Sequence, residues 1–185
     1  MPKITLYHRQ RGAVAIEFAA LFLVFFMVLY GIIAYSIPLL LELSFQQVSA
    51  DAGRIAYRVD PARSQADYIK VVGGEVNKVV ENSWLPESWR QGDCPVPAAA
   101  SEYNWQSLPA TASGDSYGHI ALDNSDMLDP RYLLHTCIQR GYNQNGDAED
   151  RAIIPIISLA GARIPSLPQD EQGKTIIKGE TITRL

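Results

Sequence analysis

Hydrophobic and polar positions follow three different patterns along this chain. Between Glu17 and Glu42 there is no charged residue, and apolar side chains occupy every side of a helix drawn through the stretch. A bilayer core of about 30 Å is crossed by roughly 20 apolar helical residues, so residues 13–41 read as a transmembrane helix with some tilt. Past that run Leu41, Phe45, Val48, Ala52, Ile55 and Val59 recur at spacings of four and three, with Glu42, Gln46, Gln47, Asp51 and Arg54 elsewhere around the barrel. That is the single stripe of an amphipathic helix. No turn signal separates the two patterns. They predict one helix of about 45 residues, roughly 65–70 Å long, running from membrane into solvent. Pro38 removes a backbone hydrogen bond and crowds the turn before it, so a kink is expected near residues 34–38, with Gly31 one turn earlier to ease it.

Asp60-Pro61 reads as a stop and restart, with Asp60 as N-cap and Pro61 at the first helical position of a second helix. That helix is expected to end near Glu81 and to present Ile69, Val72, Val76 and Val79 or Val80 on one face; Gly73-Gly74 predicts a bend in its middle. Residues 82–116 are rich in Pro, Gly, Ser and Ala and read as loop. Trp84, Trp89 and Trp105 lie there, where covering a core and forming an interface both fit. Residues 117–122, 132–142, 152–159 and 174–185 are strand-like, and Asn145-Gly146 is a tight-turn signal between the second and third. Pro155 demotes the third to an edge strand. The expected fold class is α+β: a long N-terminal helix, helices over 42–81, a loop over 82–116 and a small antiparallel sheet over 117–185.

Charge orients the span. Lys3, Arg9 and Arg11 precede it with no acid to offset them, and no basic excess follows it. The positive-inside rule keeps residues 1–12 cytoplasmic and exports residues 42–185 as one domain. A cleaved signal peptide is the rival reading, because Val48-Ser49-Ala50 resembles a cleavage site; the apolar run is too long for it. Cys94 and Cys137, the only two cysteines, both lie in the exported part. In an oxidising compartment they suggest a disulfide, the alternative being two buried thiols. The net charge of −4, with no Lys/Arg cluster beyond the N-terminus, argues against nucleic-acid binding.

Chemistry-bearing patterns are few. His119 and His135 are the only exported histidines, and Ser116, His119 and Asp123 could be written as a triad, although no motif surrounds them. No P-loop, dinucleotide-binding glycines, HExxH or GxSxG occurs, so neither an enzyme nor a cofactor is expected. The oxygen-rich segment 143–150 offers Asn143, Asn145, Asp147 and Glu149 to a calcium ion, but Gly146 precedes Asp147 where an EF-hand loop would reverse them. A solvated hairpin tip is the preferred reading, with no metal.

Glu17 stands at the edge of the apolar run. One reading is a glutamate snorkelling to the cytoplasmic headgroups. In the other the chain is cut after Gly12, so that Ala13 supplies a new α-ammonium one turn before Glu17. The ammonium of one subunit could then pair with the carboxylate of its neighbour in a low-dielectric assembly, where each charge needs a partner. Losing residues 1–12 also removes the cations that hold the precursor at the cytoplasmic face.

The segment Arg11-Gly12-Ala13-Val14-Ala15-Ile16-Glu17-Phe18, with the apolar helix behind it, resembles the prepilin-type N-terminus. With Leu43-Ser44-Phe45-Gln46-Gln47-Val48-Ser49-Ala50-Asp51-Ala52-Gly53-Arg54, it is similar to the TadE-like family over about residues 9–58. Members of that family are minor pseudopilins of the bacterial tight-adherence (Flp) pilus machinery, and TadF is a close relative. The resemblance implies a pilin-like fold and cleavage between Gly12 and Ala13 by a prepilin peptidase, with Glu17 and Phe18 serving recognition or packing. It also implies an inner-membrane location with the domain in the periplasm, extraction into a pilus, and TadF-like pseudopilins and the assembly machinery as partners. The alternative is an unprocessed, membrane-anchored periplasmic binding or adhesion module. An anchored hydrolase using His119 or His135 is weaker still. Pro38 departs from the smooth run expected of the family.

Overall fold

The computed structural model describes residues 11–125, 130–159, 161–170 and 172–185. Residues 1–10 of the expected leader lie outside them. Helix α1 covers Arg11–Ile55 and continues through Pro38 without a break in its helical backbone. A short 3-10 turn, Ala56–Arg58, closes it. The buried stripe contains the expected Leu41, Phe45, Val48, Ala52 and Val59, but Ala56 is buried in place of the expected Ile55, which is half-buried. The stripe also starts earlier than its periodicity suggested, since Ala34 is already fully buried.

Helix α2, Gln65–Glu81, begins later than expected. Ser64 is its N-cap and accepts from the Asp67 amide, whereas Asp60 accepts the Ala62 amide and closes a turn before the helix. The loop-compatible geometry around Pro61 is therefore spent on a connection, and the cap falls to the next residue able to reach an N3 amide. The pair Gly73-Gly74 lies inside one continuous helix. Gly73 is there because Pro109 rests on it, and Asn77 Nδ2 donates to the Pro109 carbonyl at 3.0 Å beside this contact.

The main sheet is antiparallel, in the order β1-β2-β3-β6. Its strands are β1 Gln106–Ser107, β2 Gly118–Asp123, β3 Arg131–Gly141 and β6 Ile176–Arg184. The long apolar β3 is central, with β2 on one side and β6 on the other. The expected strand over 152–159 is not part of this sheet. Its last three residues, β4 Ile157–Leu159, pair with β5 Ala162–Ile164 in a separate two-stranded hairpin. The Asn145-Gly146 turn consequently joins no hairpin with β3, whose second neighbour is the C-terminal β6. Nine residue pairs of β3 and β6 in register, Leu133↔Arg184 through Gly141↔Ile176, outcompete a segment interrupted by Pro155.

Helices α1 and α2 cover one face of the sheet. Strand β6 runs beside α1 so that four helical residues match two strand residues, about 6 Å in each case. Gly179 faces the backbone at Phe45 and Gln46, and a Cβ added at Gly53 would stand 2.8 Å from Thr183 Oγ1. Between these contacts Thr136 Oγ1 donates to the Ser49 carbonyl and Ser49 Oγ to the Thr136 carbonyl, so the buried hydroxyls satisfy each other's backbone. Phe45, Val72, Val76, Ile120, Leu134 and Ile138 fill the space between the layers.

Candidate functional site

Two regions of the molecule hold the residues that the sequence singles out. The first is the opening half of α1. Gly12 and Ala13 belong to its first turn, Glu17 is exposed, and every described side chain from Val14 to Leu29 is exposed as well. Phe18, Phe22 and Phe26 form a ladder along one side, with ring centroids 6.0 and 5.0 Å apart. Among the described residues one helix is long and apolar enough to cross a membrane, and it is this one. An apolar cylinder on every side has no partner within the fold, which distinguishes it from a buried core helix and fits a single-pass membrane protein.

The second region is the sheet face opposite the helices. Here the long loop 82–116 folds back over β2 and β3. Cys94 and Cys137 are bridged, with Cα atoms 6.2 Å apart, tying this loop to the middle of β3. Gln91 and Gln139 exchange backbone hydrogen bonds beside the bridge. Trp105 donates its indole N–H to the Ala100 carbonyl and meets His135 edge-on at 6.2 Å. On the helix side of the same strand Trp89 stacks under the Arg140 guanidinium at 4.8 Å, while Trp84, beside α1, remains exposed. The three tryptophans thus divide between covering the sheet and facing outward.

His119 and His135 sit opposite each other across β2 and β3 and stack with Nδ1 atoms 3.4 Å apart. Burial lowers the pKa of both below the ordinary histidine range; for His135 the nearby Glu180 carboxylate, 3.6 Å from Nε2, opposes that shift. The triad does not assemble. Ser116 Oγ donates to the Leu108 and Gly118 carbonyls, Asp123 pairs with Arg184 at 3.0 Å, and His119 faces His135. His119 and Asp123 share a face of β2 but stand four residues, about 13 Å, apart along the strand, so nearness in sequence does not become nearness in space. His135, Cys137 and Glu180 bring potential metal-ligand atoms close together, but the Cys137 sulfur is consumed by the disulfide and offers no thiolate.

At the acidic segment, the Asn143 side chain is engaged with backbone: Oδ1 accepts the Thr175 amide at 2.9 Å and Nδ2 donates to the Thr175 carbonyl. The Glu149 carbonyl accepts from Arg140 Nε. Asn145 and Asp147 lie in the turn between them. An open, polar cleft of about 700 Å³ lies nearby beside Glu87, Arg90, Asp115, Tyr117 and Glu149. Burial pushes the Tyr117 hydroxyl up to about 12.

Residues that sequence reasoning passed over are Tyr30 and Tyr35, hydroxyls inside the apolar run. Tyr30 donates to the Pro155 carbonyl and Tyr35 accepts the Ser166 amide at 2.9 Å, so the β4–β5 hairpin hangs beside the helix at this level. The signal available was the composition of residues 152–169, which carry Arg163 as their single charge.

Comparison with known proteins agrees with the first region and is silent on the second. The family model described as TadE-like protein matches residues 12–54, which is α1 from its first glycine almost to its end. No curated protein and no solved structure matches the chain.

Proposed function

We propose that this chain, TadE-like over its N-terminal helix, is a minor pseudopilin of a tight-adherence pilus system. The observation that supports this most is a coincidence: the family match covers residues 12–54, and α1 is exposed and apolar through the first half of that same segment. An exposed apolar helix is first held by lipid and can then be held by like helices, which is how a fibre subunit leaves a membrane. Such packing is head-to-tail and does not close.

In this reading the precursor is a single-pass inner-membrane protein with its N-terminus in the cytoplasm and its disulfide-bonded domain in the periplasm. A prepilin peptidase cuts between Gly12 and Ala13. The new ammonium at Ala13 then pairs with Glu17 of a neighbouring subunit, each charge compensating the other where water is excluded. The aromatic ladder Phe18, Phe22 and Phe26 supplies packing area on another side of the helix. The periplasmic domain contacts TadF-like pseudopilins and assembly components by protein–protein recognition.

The test is the mass of the N-terminus. Purified from cells containing the peptidase, the protein should begin at Ala13, and Gly12→Asp should leave it beginning at Met1. Glu17→Ala should be cut normally yet lost from pulled-down assemblies. If the native protein keeps Met1 in the presence of an active peptidase, the unprocessed anchored module replaces this reading.

A further inference from the structure

We infer that the β4–β5 hairpin is a lipid-contacting element that seats the domain in the outer leaflet beside α1. The inference rests on α1 spanning a bilayer and adds a second membrane contact to it. Its starting point is position. The uncharged run ends at Glu42, and the hairpin is fastened to α1 at Tyr35 and Tyr30, about 10 and about 18 Å below Glu42 along the helix axis. One leaflet contributes about 15 Å of hydrocarbon. If the run between Glu17 and Glu42 crosses the membrane, the hairpin cannot remain wholly in water.

Its chemistry suits that depth. Residues 152–169 contain five isoleucines and two leucines against one charge. Ile153 and Ile157 point outward, with Ile157 44% exposed in the isolated chain. Arg163 is exposed on β5, and its long stem lets the guanidinium reach headgroup phosphates. Non-helical backbone at membrane depth is tolerated only where its polar groups find protein partners. Here β4 and β5 pair with each other, Tyr30 donates to the Pro155 carbonyl, and Gln144 Nε2 donates to the Ile156 carbonyl at 3.1 Å. Tyr35 accepts the Ser166 amide, and Pro155 and Pro165 have no N–H to satisfy. Above the hairpin an apolar groove is lined by Leu40, Leu41, Ser44, Trp84 and Ile153, with Trp84 67% exposed. A tryptophan beside the end of the uncharged run lies where aromatic residues gather at the water boundary. A soluble docking partner would not need the hydroxyls of the spanning helix to satisfy this backbone; a lipid surface does.

Full-length protein carrying Ile157→Cys, labelled with a nitroxide in vesicles of phosphatidylethanolamine and phosphatidylglycerol, tests this. Leu23→Cys serves as the mid-span reference and Ser101→Cys as the aqueous one. One reactive thiol per chain establishes that Cys94 and Cys137 remain bridged. Relaxation by oxygen relative to a water-soluble nickel chelate should be several-fold higher at position 157 than at position 101, approaching that at position 23. If position 157 matches position 101 while position 23 reports lipid, the hairpin lies in water and the inference is overturned with the span intact. Protection of position 157 from both reagents also overturns it, because protein then covers the hairpin. If position 23 itself reports water, the spanning reading fails and takes the hairpin with it.

Discussion

Gly179 lies where β6 crosses α1, and the backbone of Phe45 and Gln46 occupies the space a side chain would need. Flexible neighbours could rotate away, but main chain cannot. Gly179→Ala should therefore lower stability by about 3 kcal/mol, the upper end of ordinary overpacking, measured as a shift in the urea midpoint. The histidine pair gives a second prediction at this scale. An unfolded histidine takes up its proton near pH 6.5, whereas burial holds His119 and His135 below that in the fold. Between the two values the unfolded chain binds more protons, so stability is whole above about pH 6.5 and falls as pH drops below it. Glu180 pulls His135 the other way, while Lys178 and His119 add to its lowering. The thermal midpoint of the full chain in detergent should fall between about pH 7 and about pH 5, and His135→Phe should flatten that slope. A midpoint equally steep in both proteins would remove the histidine from the explanation.

At the scale of elements, α2 sets two adjacent glycines against each other. Gly74 has open space around its Cα, while Gly73 lies under Pro109. Gly74→Ala should stabilise by up to about 1 kcal/mol through helix propensity alone. Gly73→Ala should destabilise by more than that gain, because Pro109 and the Asn77 hydrogen bond must shift with it. Opposite signs in denaturant titrations of the two variants are the expected outcome. The two glycines do not interrupt the helix, and one of them serves packing. Its N-cap shows the same limit. Asp60 and Ser64 both have cap chemistry, and only the path of the chain after α1 selects Ser64.

For the whole molecule, the disulfide joins the loop 82–116 to the central strand. Closing a loop of this length removes about 4 kcal/mol of unfolded-chain entropy. Reduction should lower the urea midpoint accordingly and speed amide exchange in residues 82–116 first, leaving the layer of α1, β3 and β6 protected the longest. If exchange rose uniformly instead, the loop would be held by its other contacts, such as Gln91 with Gln139 and Trp105 over His135.

Much of this architecture is written in local pattern. The uncharged run, the stripe from Leu41 to Val59 and the motif around Glu17 each depend on residue type and spacing, and the family match over residues 12–54 rests on the same residues. Periodicity reports which faces are apolar. It does not report what covers them, so pattern alone puts residues 152–159 in the sheet, whereas the equally expected strand over 174–185, β6, takes the place beside β3. Pairing across β3, the covering of its rear face by the loop, and the attachment of the hairpin to Tyr30 and Tyr35 all depend on closures between distant segments. Those closures are decided by mutual fit in three dimensions, with Gly179 against Phe45 and Ser49 against Thr136 as the contacts that set it. The sequence alone determined that this chain has an exposed apolar helix with a charge at its edge. Only the tertiary structure decided that the domain grips that helix well inside the apolar run, because hydroxyls and backbone amides find each other there after the chain has folded.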